Sequence, residues 1–290
     1  MELVSLRDAL ERDGWTTFRA KVDVAASPWD VARELFGEPI EMVERQPIRP
    51  VRGGRSFAST DVFTPLHTDS QPYLGAPPCA QVMICVRPAA RGGETILADG
   101  WRIAEDARDT SRSERDLDAR LFDEPRTIPF YFGDVRGPTI ARWRGRVAFT
   151  HSPVAPRDDL ARRVRALVDA APVIELRPRA GDAFVVDNHR MLHGRRAFDD
   201  PSREFVRFLV WLARPLAVPA SIASRARDVA PQTISRIEDA RHIAIVHEML
   251  AGAAPGILSA RERVPESELY RWRDAVCARE AARAPNAPIA

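Results

Sequence analysis

The stretch Pro65-Leu66-His67-Thr68-Asp69-Ser70 decides how the rest of the chain is read. In extended backbone, residues two apart project to the same side. His67 and Asp69 would then present an imidazole and a carboxylate together, and such a pair can fill two adjacent positions on a metal. Alone, an H-x-D is common. A third ligand from a distant strand makes it a site, and residues 181–195 (GDAFVVDNHRMLHGR) offer one. There an apolar strand ends in a polar turn that holds His189 and runs on to His193. Of these, His193, with Gly194-Arg195 directly behind it, is the expected ligand; His189 is the rival. His151 suits a structural role at a strand end. His242 and His247 are five apart on an expected helix, a spacing that shares a face poorly.

Two imidazoles and one carboxylate on one face of Fe(II) leave the opposite face open. That is the facial triad of non-haem oxygenases, whose open positions accept a cosubstrate and O2. A zinc hydrolase could use similar ligands, but it needs no cation to clamp a cosubstrate. Candidate clamps are present. Arg203 and Arg207 lie four apart at the start of an expected strand and so point to one side. Inward-pointing arginines are costly unless they meet an anion, and the planar guanidinium binds carboxylates bidentately. Thr95, opening a strand after Gly92-Gly93-Glu94, offers a hydroxyl to the same carboxylate.

Outward from these stretches, the chain reads as a β-rich core flanked by helices. Short apolar runs broken by Gly and Pro clusters predict strands at 81–86, 95–98, 173–176, 183–186 and 205–212, with another at 16–24. Arg144-Gly145-Arg146 predicts a hairpin turn. Helices are expected at 3–12, stopped by Gly14, and from Ser27-Pro28-Trp29-Asp30 to Phe36, stopped by Gly37. Further helices are expected at 158–170, 224–250 and 266–282. Residues 110–120 read as an exposed loop or lid. The fold class is therefore mainly β with flanking helices, α+β overall. The expected division is a β domain with its N-terminal helices at 1–216, a helical extension at 217–282 and a disordered tail at 283–290.

Composition excludes several classes. The chain has 290 residues, 45% hydrophobic, enough for a sizeable core. Net charge is only +2, which gives no electrostatic case for nucleic acid or an anionic membrane. Lys21 is the single lysine. Cys79, Cys85 and Cys277 fit neither a zinc site nor a disulfide framework. No segment is long and apolar enough to span a membrane. The N-terminus has no apolar region of the secretory type. A cytoplasmic setting is expected.

With PLHTDS at 65–70, PAARGGETILAD at 88–99 and DNHRMLHGRRAF at 187–198 followed by Arg203 and Arg207, the chain resembles the taurine dioxygenase-like (TauD/TfdA) superfamily of Fe(II)/2-oxoglutarate oxygenases. It looks closest to the clavaminate synthase and γ-butyrobetaine hydroxylase branches. The resemblance covers about residues 14–215 and implies a double-stranded β-helix, or jelly roll. It implies Fe(II), 2-oxoglutarate and O2 as cofactor and cosubstrates. His67, Asp69 and His193 would bind iron and act in catalysis, and Thr95 and Arg203 would bind 2-oxoglutarate. Arg207 would sit near cosubstrate or substrate; which arginine holds the cosubstrate carboxylate stays open. The implied reaction oxidises an aliphatic C–H, most simply by hydroxylation, and releases succinate and CO2. Desaturation is the alternative, and a non-catalytic metal-binding jelly roll the remote one. Halogenases of this chemistry replace the carboxylate by a small residue, so Asp69 argues against them. Arg55, Gln71 and Tyr73 are candidate substrate contacts, and the arginines favour a small amino-acid-like or carboxylate-bearing metabolite, plausibly in specialised metabolism. The C-terminal helices could form a homodimer interface or dock a carrier protein bearing the substrate.

Overall fold

The structure is a computed structural model. It describes residues 6–24, 26–51, 56–70, 75–109, 115–130, 133–230, 239–250, 253 and 255–283. In chain order, α1 (Leu6–Asp13) leads into β1 (Trp15–Arg19), followed by α2 (Pro28–Phe36) and β2 (Ile40–Ile48). A short 3-10 turn at Phe57–Ser59 precedes β3 (Thr64–His67), β4 (Ala80–Arg87) and β5 (Thr95–Asp99). Then come α3 (Gly100–Asp109), α4 (Arg115–Asp123), β6 (Arg126–Phe130), β7 (Gly133–Gly137), β8 (Ile140–Trp143) and β9 (Arg146–Phe149). After α5 (Asp159–Ala170) the core closes with β10 (Ile174–Leu176), β11 (Asp182–Asp187), β12 (Met191–Arg195) and β13 (Glu204–Leu212). The C-terminal part holds α6 (Ala220–Ala223), β14 (Asp228–Val229), α7 (Ala240–Leu250), α8 (Pro255–Glu262) and α9 (Glu266–Arg283).

Two antiparallel sheets form the core. The larger has the order β1-β11-β4-β13-β2, and the smaller β10-β5-β12-β3. Successive side chains of a strand point to opposite faces, and burial shows which face is which. Met83, Cys85, Phe184, Val186 and Phe205 from the larger sheet share one cluster with Leu97 and Met191 from the smaller, so these side chains lie between the sheets. The alternate residues Val82, Ile84, Phe208 and Val210 pack outward under α1 and α2. Leu66, Ile96, Ala98 and Leu192 pack outward under α3, α4 and α5. This is the expected jelly roll, a helix-covered pair of sheets.

Register then decides what else points inward. His193 stands opposite both Leu97 and His67, and Arg207 opposite both Met83 and Gln46. By the two-residue period, Glu44 shares the inner face with Gln46, and Gln81 with Met83. Thr95 shares it with Leu97. Strand alternation therefore brings His67, His193, Thr95 and Arg207 together between the sheets.

Several expected elements are closely matched. α2 begins at Pro28 and ends at Gly37, which caps it at φ 62° and donates its N–H to the Arg33 carbonyl. Ser27 makes no side-chain capping bond there, in contrast to the expected cap. Arg144 (φ 48°) and Gly145 (φ 80°) make the turn between β8 and β9. Asp158 caps α5 by accepting from the Ala161 N–H.

Three expectations need correction. The exposed loop at 110–120 is in part α4: Leu117, Leu121 and Phe122 form a buried stripe at helical spacing, while residues 110–114 lie outside the described residues. The strand expected at 16–24 stops at Arg19, beyond which Val22 and Val24 pack on the outer cluster without strand pairing. The single helix expected at 224–250 is interrupted by β14, which pairs with β8; helix is described again from Ala240, and residues 231–238 lie outside the described residues. Residues 284–290, where the tail is expected, lie outside the described residues.

A candidate metal and cosubstrate site

His67, Asp69 and His193 converge. Their ligating atoms lie within 4.8 Å of one another, the only such cluster of His, Cys, Asp and Glu among the described residues. His67 ends β3 and His193 sits mid-β12, facing it in register with ring centroids 4.4 Å apart. That approach needs a glycine behind His193. A Cβ on Gly194 would lie 2.6 Å from the Thr64 carbonyl, so a larger residue would push β3 away. His189, the rival ligand, is turned elsewhere, its Nε2 lying 3.1 Å from the Pro77 carbonyl.

His67 and Asp69 are held from behind, while His193 Nδ1 is buried without a partner. His67 Nδ1 lies 2.8 Å from the Pro65 carbonyl, which fixes that nitrogen as the donor and leaves the Nε2 lone pair for a metal. The Asp69 backbone is clamped by Asn188, whose Oδ1 accepts from the Asp69 N–H (2.8 Å) while its Nδ2 donates to the Asp69 carbonyl (2.7 Å). The Asp69 carboxylate receives Gln81 Nε2 at 2.5 Å and Arg207 Nη1 at 3.0 Å. Gln81 Nε2 also lies 3.0 Å from His193 Nε2, so it bridges two of the three. Burial pushes the Asp69 carboxyl up, but Arg207, His193, His67 and Gln81 outweigh it and hold the group at about 2. Burial, then the neighbouring His67, pushes His193 down to about 3, and burial lowers His67 as well. The set is therefore an anionic carboxylate with two neutral imidazoles, the protonation state a divalent metal requires.

Beside the triad, one cavity is lined by His67, Gln81, Thr95, His193, Arg203 and Arg207. Arg203 is 2% exposed and lies over the rings of Phe205 (4.1 Å) and Phe198 (5.0 Å). Its Nη2 reaches the Gly93 carbonyl at 3.4 Å, and its Nη1 is buried without a partner. Gly93 makes room for it: a Cβ there would stand 3.0 Å from Arg203 Nε. Burial and the nearby Arg195 depress the Arg203 guanidinium to about 10. Arg207 differs: Asp69 and Gln46 Oε1 already engage its two terminal nitrogens.

Comparison with known proteins accords with this geometry. The model of the family described as "Taurine catabolism dioxygenase TauD, TfdA family" matches residues 3–163 and 144–209, more than half of the chain. The chain belongs to this family.

As a TauD/TfdA family member the protein is a dioxygenase, and its cofactors are Fe(II) and 2-oxoglutarate. Among solved structures, asparagine oxygenase (AsnO) is 18% identical, with 78% of this chain and 83% of that one covered and a TM-score of 0.52. Asparagine oxygenase in complex with Fe(II), 3-hydroxyasparagine and succinate is 17% identical over 71% and 77%, with a TM-score of 0.50. The non-haem iron oxygenase OrfP with Fe and alpha-ketoglutaric acid is 20% identical over 70% and 76%, with a TM-score of 0.48.

The residues fit both cofactors. The donor set of two imidazoles and one carboxylate suits Fe(II). The unpaired Nη1 of a buried arginine suits a carboxylate. Of the expected substrate contacts, Arg55, Gln71 and Tyr73 lie outside the described residues. Phe57 and Phe130 do line the cleft on the metal's other side, with Ser56, Asp69 and Arg207. Trp143 packs in the core. The His151 backbone is tied to Thr68: its carbonyl accepts from the Thr68 N–H and its own N–H donates to Thr68 Oγ1, while its Nε2 is buried without a partner. His242 stacks on Trp272 at 3.6 Å. Sequence reasoning missed Gln81 and Asn188. Gln81 left a trace, a polar residue in the otherwise apolar run 80–86. It also missed Tyr270 and Arg273, which α9 brings to the same cleft.

Proposed function

We propose that the protein hydroxylates an aliphatic C–H of a small, amino-acid-like, carboxylate-bearing metabolite. In this reading His67, Asp69 and His193 hold the metal. Arg203, with the Thr95 hydroxyl beside it, holds the distal carboxylate of 2-oxoglutarate. Arg207 keeps Asp69 in place and faces both the cosubstrate cavity and the open cleft. Fe(II), with 2-oxoglutarate and O2, supplies the oxidising power and yields succinate and CO2. The chain's residues supply orientation: Pro65 and Asn188 fix His67 and Asp69, and apolar Ile48, Met83 and Phe184 line the cosubstrate cavity and keep water from it. The observation that carries the reading is a buried, under-paired arginine that shares one cavity with His67 and His193, while Asp69 lines the adjoining cleft.

The intact Asp69 favours oxygenation over halogenation. Arg207 and Arg273 line the open cleft, and protein partners already engage both guanidinium groups. Asparagine oxygenase, which shares the fold, binds an amino-acid ligand, 3-hydroxyasparagine. The buried free thiols Cys79 and Cys85 suit a reducing, cytoplasmic setting. The test is succinate release across the common L-amino acids and their amides, dependent on both Fe(II) and 2-oxoglutarate, with product mass read alongside. The expected product gains one oxygen atom. Loss of two hydrogens would move the reading to desaturation, and preference for a neutral hydrocarbon would overturn the substrate class.

A further inference from the structure

The family match ends at residue 209, yet the cleft over the metal does not. α9 lies beyond the match, and its Tyr270 and Arg273, one turn apart on one face, line both that cleft and an adjoining chamber. The chamber continues along Glu44, Gln46 and Met249. α7 closes this region by packing Leu250 on Met42, Leu209 and Trp211 of the inner sheet face.

Arg273 is 1% exposed, which is costly for a cation unless its position is put to use. Its Nη1 lies 3.3 Å from Glu44 Oε1, and its Nη2 lies 3.2 Å from Asp274 Oδ1. One guanidinium thus serves two carboxylates. Glu44 Oε1 also accepts from Gln46 Nε2, and Gln46 Oε1 accepts from Arg207, which donates to Asp69. A continuous line of side chains therefore runs from α9 to the metal carboxylate. At its α9 end, Glu44 Oε2 is buried with no donor, beside the chamber that Glu44 lines. An unmet buried carboxylate oxygen, on a residue that lines open space, calls for a donor that carries positive charge. Arg49, which also lines the chamber, is half exposed and pairs instead with Glu204 at 3.7 Å.

We propose that α9 is a wall of the substrate site, and that Arg273 holds Glu44 so that its second oxygen receives an ammonium group of the substrate. Arg273 is then a positioning residue and Glu44 a specificity residue. The inference rests on the amino-acid-like substrate proposed above and narrows it to substrates with a free amine.

The experiment uses the full chain, the common L-amino acids and their N-acetyl forms. Binding is read by thermal shift in metal-free protein, and KM and kcat in the Fe(II)/2-oxoglutarate enzyme. The wild type should prefer the free amine of its best ligand over the N-acetyl form. Glu44→Gln should erase that preference and weaken the free amine about thirtyfold or more, the cost of removing one partner of a buried charge pair. Arg273→Met should raise KM about tenfold with little change in kcat, and Arg273→Lys should restore most of the loss. Absence of any free-amine preference across the panel overturns the proposal. So does unchanged binding in folded Glu44→Gln and Arg273→Met proteins. If the enzyme arm is silent because iron and 2-oxoglutarate do not bind, the function proposed above fails, while the metal-free arm still decides this one.

Discussion

The two ends of the inner cavity are built differently. At the metal end, the carboxylate and one imidazole are answered by the protein itself, Asp69 by Asn188, Gln81 and Arg207 and His67 by Pro65, while His193 Nδ1 is buried without a partner. At the cosubstrate end, buried donors go unanswered, among them Arg203 Nη1, Arg195 Nε and Thr64 Oγ1. The first end is pre-organised at the chain's own expense. The second is left incomplete, and a carboxylate that entered would find its donors already in place. The comparison implies that substitutions at the first end damage both structure and metal affinity, while those at the second damage ligand affinity and leave the empty protein at least as stable.

Arg203→Met is the sharpest way to break this comparison. It should weaken 2-oxoglutarate about a hundredfold, within the range for removing one partner of a buried ion pair. Fe(II) affinity should hold, and the melting temperature without 2-oxoglutarate should not fall, because a buried cation without an anion is removed. A large drop in that melting temperature would mean that Arg203 is structural. Isothermal titration and calorimetry read both quantities.

Asn188→Ala should do the reverse. It strips the clamp from the Asp69 backbone and leaves the Pro78 carbonyl without its donor. Metal affinity should fall about tenfold or more, as for lost support behind a ligand. Stability should fall by about 2 kcal/mol from buried groups left unpaired. Retained metal affinity in the folded variant would remove Asn188 from the site's support.

The smallest effect concerns Asp187, next to that clamp. Burial pushes its carboxyl up to about 7, against the His189 N–H it accepts and the nearby Arg190. A carboxyl raised on folding binds protons more tightly in the native state. Its ionisation therefore costs stability progressively as pH rises from about 4, the unfolded value, to about 7. Asp187→Asn removes that cost, so its melting temperature should exceed the wild type by several degrees at pH 8 and by little at pH 4. An advantage that does not change with pH would contradict the assigned environment.

Much of this site was legible because its signals are local. His67 and Asp69 are two apart and Arg203 and Arg207 four apart, so an extended backbone places each pair on one side, although β3 ends at His67 and β13 begins at Glu204. His193 could be preferred over His189 from the Gly194 behind it, and the structure supplies the reason: β3 passes too close for a side chain. What could not be read depends on which strands become neighbours. Gln81 meets Asp69 and His193 only because the two sheets face each other. Arg273 reaches Glu44 across more than two hundred residues, and nothing in the α9 sequence marks it as buried rather than solvated. The lid expected at 110–120 failed for a related reason. Its charges were read, while the spacing of Leu117, Leu121 and Phe122, which packs α4 on the core, was not.

The central claim is that the triad and the arginine end together form one Fe(II)/2-oxoglutarate site. Anaerobic addition of Fe(II) and 2-oxoglutarate to the protein tests it most directly. A visible metal-to-ligand charge-transfer band should appear only when both are present, and it should be lost in His67→Ala and Asp69→Ala. Folded, iron-loaded wild-type protein that takes up 2-oxoglutarate without that band, or His67→Ala and Asp69→Ala variants that keep it, would contradict the account.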